Sequence, residues 1–331
     1  MLYKNFFEGA EKKVEICGLG IDFRSLPYEF WETFVSNCDA QILSTISNEF
    51  LDSYLLSESS LFVWNNRILA ITCGNTMLSQ SVEWLVREIG HSGIASIIYQ
   101  RKNEYQPQLQ SNGFFNDIDC LEKIFPGKSY RFGHLDGHYQ YLYHSGNKLV
   151  LDPHDVTSEF LMYGIDSKIA DLFCSNLWEV SQIRKFLGLN DILKNFTIDD
   201  HLFQPCGYSL NAICGRNYVT IHVTPEHDTS YVSLETNSND PVFVNSLFQH
   251  FLLRFQANSV DVMQFGNSQM PILSSNFVCV DRVELRIAGN YPLSFFYFIS
   301  SSNHINSPVL LKSFSSPVKL KINSQQNKIP A

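Results

Sequence analysis

No apolar run in this chain of 331 residues reaches the length of a membrane span. The opening stretch, Met1 to Glu15, is broken by Glu8, Glu11 and Glu15, so it lacks the apolar core of a secretion signal. Lysine-rich runs are missing, and 24 Lys and Arg against 33 Asp and Glu leave a net charge of −9. That balance argues against a general nucleic-acid surface and suits a cationic small substrate, although solubility alone also favours acidic surfaces. There is no internal repeat of solenoid length. The eight cysteines, Cys17, Cys38, Cys73, Cys120, Cys174, Cys206, Cys214 and Cys279, fall without metal-like pairing. They read as reduced thiols of a cytoplasmic protein, mostly acting as small buried hydrophobes. Gly18-Leu-Gly20 lacks the third glycine and the strand-turn-helix setting of a nucleotide loop. His134, His138, His144 and His154 cluster without a ligand spacing, so no metal is expected.

What is present is a globular composition, 44% hydrophobic, long enough for a large core in one or two domains. Ser60–Trp64 and Arg67–Thr72 flank Asn65-Asn66 as a hairpin, and Tyr139–His144 and Lys148–Leu151 flank Ser-Gly-Asn. Further strands are expected at Tyr218–His222, Tyr231–Glu235, Val260–Phe265 and Arg282–Arg286. Helical stripes run through Pro27–Val35, Ser79–Ile89 and Pro241–Phe255. Strands mixed with helices, without strict alternation, indicate an α+β fold over antiparallel sheets. Each half has hairpins followed by a long amphipathic helix, which allows a duplicated architecture. The end, Asn323 to Ala331, is polar and expected to be disordered.

The segment Tyr54-Leu-Leu-Ser-Glu58-Ser59-Ser60-Leu-Phe-Val63 sets an acidic residue and a serine pair inside an apolar run. A serine hydroxyl there can attack the preceding Glu58 carbonyl and give an ester weaker than the amide. Splitting at Glu58–Ser59 would then let the chain make a ketone cofactor from its own residue. Polar loops contain such strings by chance, so the rest of the chain must decide.

Five further segments decide it: Phe6-Phe7-Glu8-Gly9-Ala10-Glu11, Thr72-Cys73-Gly74-Asn75-Thr76, Asp155-Val-Thr157-Ser-Glu159, Phe203-Gln-Pro-Cys206-Gly-Tyr208-Ser209-Leu-Asn211 and Thr220-Ile-His222-Val-Thr-Pro225-Glu226. With Ser230-Tyr-Val-Ser-Leu-Glu235-Thr-Asn, in this order and spacing, the chain resembles the eukaryotic S-adenosylmethionine decarboxylase family over nearly its whole length. The resemblance implies a four-layer α/β/β/α sandwich of two antiparallel sheets flanked by helices. It implies one domain over residues 1–331, made as a proenzyme and split into a β chain, 1–58, and an α chain, 59–331.

The same resemblance implies the roles. Ser59 becomes a covalent pyruvoyl group, a substitute for pyridoxal phosphate that forms a Schiff base with the substrate amine. His222 is the base of the processing step, and Ser209 supports the ester by hydrogen bonding. Read alone, these two would be a strand histidine and a turn serine; Gly-Tyr-Ser-Leu-Asn is not a hydrolase elbow. Cys73, fourteen residues after Ser59, is the proton donor to the substrate carbon. Phe7 and Phe203 sandwich adenine, Glu226 binds the ribose hydroxyls, and Glu8 and Glu11 are active-site carboxylates. With 26 Phe, core packing is the plain alternative for either ring.

A buried charged site follows from the resemblance at Glu15, Asp155, Thr157, Glu159, Glu235 and Phe265. Animal-type members bind putrescine there as an activator, whereas plant-type members hold a basic side chain. Lys13 occupies the corresponding position, and Arg101 is expected to add a second charge. Lys13 then replaces putrescine, although the retained Asp155 keeps an animal-type ligand. The expected activity is decarboxylation of S-adenosylmethionine to the aminopropyl donor for spermidine and spermine. The rivals are a catalytically weak regulatory paralogue and an ordinary serine or cysteine hydrolase. Monomer and homodimer both remain open, with no nucleic acid or membrane partner expected.

Overall fold

Asn65 and Asn66 close a tight turn between two strands, Ser59–Trp64 and Arg67–Thr72, each with almost every side chain buried. Burial on both faces is the mark of a strand packed between layers. The computed structural model describes residues 10–301 apart from 58, 103, 106, 147–154, 175–177, 227–228, 268, 271 and 288–289. The second arm expected at Lys148–Leu151 and the tail at 323–331 lie outside the described residues.

Sixteen described strands form two antiparallel eight-stranded sheets. The first holds β1 (Lys12–Gly18), β2 (Ile42–Ser47), β3 (Leu51–Leu56), β4 (Ser59–Trp64), β5 (Arg67–Thr72), β6 (Ile94–Arg101), β7 (Gly127–Gly133) and β8 (Tyr139–Ser145), in the order β2-β3-β4-β5-β1-β6-β8-β7. The second holds β9 (Thr157–Tyr163), β10 (Thr197–Leu202), β11 (Tyr208–Cys214), β12 (Asn217–Thr224), β13 (Tyr231–Thr236), β14 (Ser259–Phe265), β15 (Phe277–Ile287) and β16 (Tyr291–Ser300). Its order is β10-β11-β12-β13-β9-β14-β16-β15. Adding eight to each label of the first order gives the second, so the two halves share one topology.

Helices α1 (Tyr28–Ser36), α2 (Leu78–Ile89) and α3 (Phe114–Ile124) cover the outer face of the first sheet. Trp31, Phe34, Leu78, Val82, Leu85 and Ile118 pack there against Val14, Ile16, Ile68 and Ala70. Helices α4 (Ser167–Leu172), α5 (Val180–Leu187), α6 (Leu189–Ile192) and α7 (Pro241–Phe255) cover the second sheet in the same manner. Asp240 caps α7 by accepting from Val242 and Phe243 N–H, with Pro241 at the first helical position. The inner faces meet through Phe62, Trp64, Leu69 and Tyr218 at one end, and Phe132, Leu142, Met263 and Phe295 at the other. This is the expected four-layer α/β/β/α sandwich.

Two expectations are corrected. Cys174 and Cys206, 32 residues apart, form a disulfide rather than two thiols. The loop after α4 meets the loop before β11, where Gly207 N–H donates to Phe173 O at 3.1 Å. That meeting is tertiary, and the cysteine spacing carried no sign of it. The other correction concerns Arg101, which does not enter the charged site between the sheets. On β1, Lys12 pairs with Arg101 and Lys13 with Gln100, so strand alternation turns Arg101 outward. There it donates to Asp117 of α3 at 2.6 Å and to Glu104 Oε1 through Nε at 2.6 Å.

Candidate active site

The first cluster lies where β4 starts and β5 ends, beside the inner face of the second sheet. Ser59 starts β4 with φ +131°, is 1% exposed, and places Oγ 3.5 Å from Cys73 Sγ. A side chain at that φ is strained, and such strain collects at functional positions. The pairing of Ser59 with Thr72 brings Cys73 alongside, as the hairpin implied. Lys12 Nζ donates to Gly74 O at 2.5 Å and so ties down the turn that carries Cys73. Burial, followed by Arg101, lowers the Lys12 pKa to about 8.

Across the sheets, Ser209 and His222 are cross-strand neighbours on β11 and β12. Ser209 Oγ lies 2.9 Å from His222 Nδ1. Burial lowers the His222 pKa to about 3, so its ring is neutral throughout the physiological range. Among the described residues His222 hydrogen-bonds to Ser60, Ser209 and Thr220 rather than to Ser59. Its Nε2 lies 3.3 Å from Oγ of the next residue, Ser60, and 3.0 Å from Thr220 Oγ1. Ser60 and Asn211 stand within the segments quoted above, but the reading of the sequence gave them no role. Their signal was the alternation of polar residues, Ser209 and Asn211 on one strand, Thr220 and His222 on the next.

Glu11 is buried just before β1, and burial raises its pKa to about 7 against the pull of Lys102. Phe203 is half-buried in the loop before β11, its ring edge-on to His201 at 4.7 Å. Gly207 in that loop has φ +110°, a conformation suited to glycine. Glu226 is buried just beyond β12 and accepts from Thr229 Oγ1. Phe7, Glu8 and Glu58 lie outside the described residues.

A second cluster sits mid-sandwich. Lys13 Nζ lies 2.6 Å from Glu159 Oε1, 2.9 Å from Glu235 Oε1 and 5.5 Å from the centre of the Phe265 ring. Lys102 also pairs with Glu159 and donates to Gln140 Oε1 at 3.2 Å. It, not Arg101, is the second ammonium of this site. Burial opposes ionisation of Glu159, but Lys102 and Lys13 outweigh it and hold its pKa at about 2. Arg67 bonds Asp155 at 2.7 Å and reaches Glu15 at 3.6 Å. Burial nevertheless raises the Glu15 pKa. A cavity lined by Lys13, Glu15, Gln100, Thr157, Phe265 and Tyr291 leaves about 10 Å³ for the centre of a water molecule. That is room for about one water.

A family model described as adenosylmethionine decarboxylase matches residues 4–293. The chain is 36% identical over 278 residues to the S-adenosylmethionine decarboxylase proenzyme of Drosophila melanogaster, a match covering 75% of this chain and 80% of the relative. It is 35% identical over 300 residues to the proenzyme of Xenopus laevis, covering 85% and 89%. It is 36% identical over 286 residues to that of Leishmania donovani, covering 80% and 75%. The crystal structure of the Trypanosoma brucei AdoMetDC-delta26 monomer superposes with a TM-score of 0.58 at 22% identity, covering 73% of this chain and 99% of that one. At that identity the likeness speaks to the fold. No helix among the described residues is long and apolar enough to cross a membrane.

Proposed function

This chain belongs to the adenosylmethionine decarboxylase family, and from that premise we propose that it is a self-processing S-adenosylmethionine decarboxylase cut at Glu58–Ser59. The observation that carries the reading is the backbone of Ser59, a buried serine held at φ +131° with its hydroxyl against Cys73. Ser59 Oγ adds to the Glu58 carbonyl carbon, and the C–N bond breaks to leave an ester and an amine. Removal of the Ser59 α-proton expels the Glu58 carboxylate. Water then replaces the nitrogen, which leaves as ammonia, and a pyruvoyl ketone remains at the new chain end. His222, neutral and paired through Nδ1 with Ser209, is the base of the elimination step in this reading. The fit is a matter of donor chemistry: a hydroxyl, a thiol and an imidazole converge on one strand end.

When formed, the ketone supplies an electron sink for decarboxylation of a bound amine. Cys73 is the proton donor to the substrate carbon, and Lys12 positions it through the Gly74 carbonyl. Phe203 and Phe7 stack on adenine, Glu226 takes the ribose hydroxyls, and Glu8 and Glu11 face the cationic substrate. The product serves as aminopropyl donor for spermidine and spermine. In the mid-sandwich site, Lys13 and Lys102 supply internally the positive charge that putrescine supplies elsewhere, which is supported by their ion pairs with Glu159 and Glu235. Added putrescine should therefore leave the rate unchanged; a several-fold increase would refute this part.

Intact mass of the purified protein tests the whole reading. Two chains divided at Glu58–Ser59 are expected, the larger lighter by one ammonia than a serine-ended chain. Reduction with cyanoborohydride in the presence of substrate should add a substrate-derived mass to it. A single uncut chain would instead favour a regulatory paralogue.

A further inference from the structure

The polar square on the inner face of β11 and β12 fixes which nitrogen of His222 carries the proton. Asn211 is fully buried, and its Nδ2 donates to Tyr54 O on the first sheet at 3.1 Å. That bond sets the amide orientation and turns Oδ1 toward Ser60 Oγ at 2.6 Å and Thr220 Oγ1 at 3.0 Å. Both hydroxyls also approach His222 Nε2, while Ser209 Oγ has one partner among the described residues, His222 Nδ1 at 2.9 Å.

Four protons must be placed: those of Ser60, Thr220, Ser209 and the imidazole. If the imidazole proton sat on Nδ1, the buried Ser209 hydroxyl would have no acceptor among the described residues, and a buried orphan donor costs about 1–3 kcal/mol. A doubly protonated ring leaves the same orphan. With the proton on Nε2, every donor finds an acceptor. Ser60 and Thr220 donate to Asn211 Oδ1 and offer their lone pairs to Nε2–H. Ser209 donates to a bare Nδ1.

We propose that Asn211 is a positioning residue that sets the His222 tautomer, with Nε2 protonated and Nδ1 the basic nitrogen on the Ser209 side. By absorbing the protons of Ser60 and Thr220, Asn211 prevents either from donating to Nε2. It acts through His222 and touches no reacting atom. The link to chain cleavage rests on the reading of His222 as the processing base; the tautomer itself does not.

The test uses full-length precursor carrying Ser59→Ala, so that no cutting intervenes, with ¹⁵N-labelled histidine. Long-range proton–nitrogen correlation identifies the protonated ring nitrogen, and His222→Gln assigns the signal. Nε2–H with bare Nδ1 is expected at neutral pH; an Nδ1–H signal in this protein overturns the proposal with no further substitution. Asn211→Leu removes the shared acceptor, so one hydroxyl should turn to Nε2 and the other to its neighbour, moving the proton to Nδ1, whereas Asn211→Asp, which keeps the acceptor, should retain Nε2–H. An unchanged tautomer in a folded Asn211→Leu protein overturns the proposal. In the Ser59 background, Asn211→Leu should slow cleavage roughly a hundredfold, the low end of what a general base contributes. A switched tautomer with unchanged cleavage would uphold the role of Asn211 and refute His222 as the base.

Discussion

Ser59 joins a strained backbone to a nucleophile, and the two properties separate by substitution. Ser59→Ala and Ser59→Gly both remove the hydroxyl, so neither chain should be cut. Glycine accepts φ +131° freely, whereas alanine keeps the strain. The glycine variant should therefore be the more stable of the two by roughly 1 kcal/mol, read from denaturant midpoints of the uncut proteins. Equal midpoints would mean that the conformation is unstrained. Glu11 offers a second test at this scale. Burial raises its pKa from 4.5 to about 7, so the folded chain holds a proton that the unfolded chain releases. Stability attributable to Glu11 is then greatest below about pH 4.5 and falls as the pH rises to about 7. Glu11→Gln should flatten that part of the stability–pH curve, and melting at a series of pH values would register it.

Among the elements, β1 gathers the most function into the fewest residues. Lys12 serves the Cys73 turn on one face and Lys13 the carboxylates on the other. Removing the Lys13 side chain leaves Glu159 and Glu235 facing a hole, at a cost of about 3–5 kcal/mol. Lys13→Ala should thus melt lower and, unlike the parent, be stabilised by added putrescine, which brings an ammonium to the vacated place. Arg101→Gln should also melt lower through loss of the Asp117 pair, yet remain indifferent to putrescine. Calorimetric melts with and without the diamine would separate the two. Lys12-Lys-Val-Glu15 does not read as a buried strand, because its charges are neutralised by residues far along the chain. The β4–β5 hairpin and α7 were legible, since local turn chemistry and apolar spacing specify them. Arg101 was misplaced for want of one strand register, and Lys102 was overlooked beside it. The Ser209–His222 pair was named through resemblance. Ser60 and Asn211, though inside the matched segments, were given no role, because their importance lies in hydrogen bonds that cross between sheets.

At the scale of the molecule, one topology used twice builds both halves, and each sheet carries part of both sites. Neither half holds a complete cluster: Ser59, Ser60 and Cys73 come from the first, Ser209, Asn211 and His222 from the second. Hairpins followed by a long helix in each half allowed this duplication, but no residue repeat marked it, because strand order, not residue identity, is what the halves share. The strand order has a further consequence. In the first sheet β1 lies between β5 and β6, and β3 lies beside β4. A cut at Glu58–Ser59 therefore leaves a small product threaded through the middle of a sheet made mostly by the large one. Its ladders hold on both sides, so the products should travel together through dilution and gel filtration. Heated and cooled, the uncut Ser59→Ala chain should regain its fold, while the cut protein at equal dilution should not. Its two pieces must find each other without a tether, at micromolar rather than roughly millimolar effective concentration. Such a protein is assembled like a knot whose cord is severed after tying: the shape endures, but the instructions for making it again have been discarded.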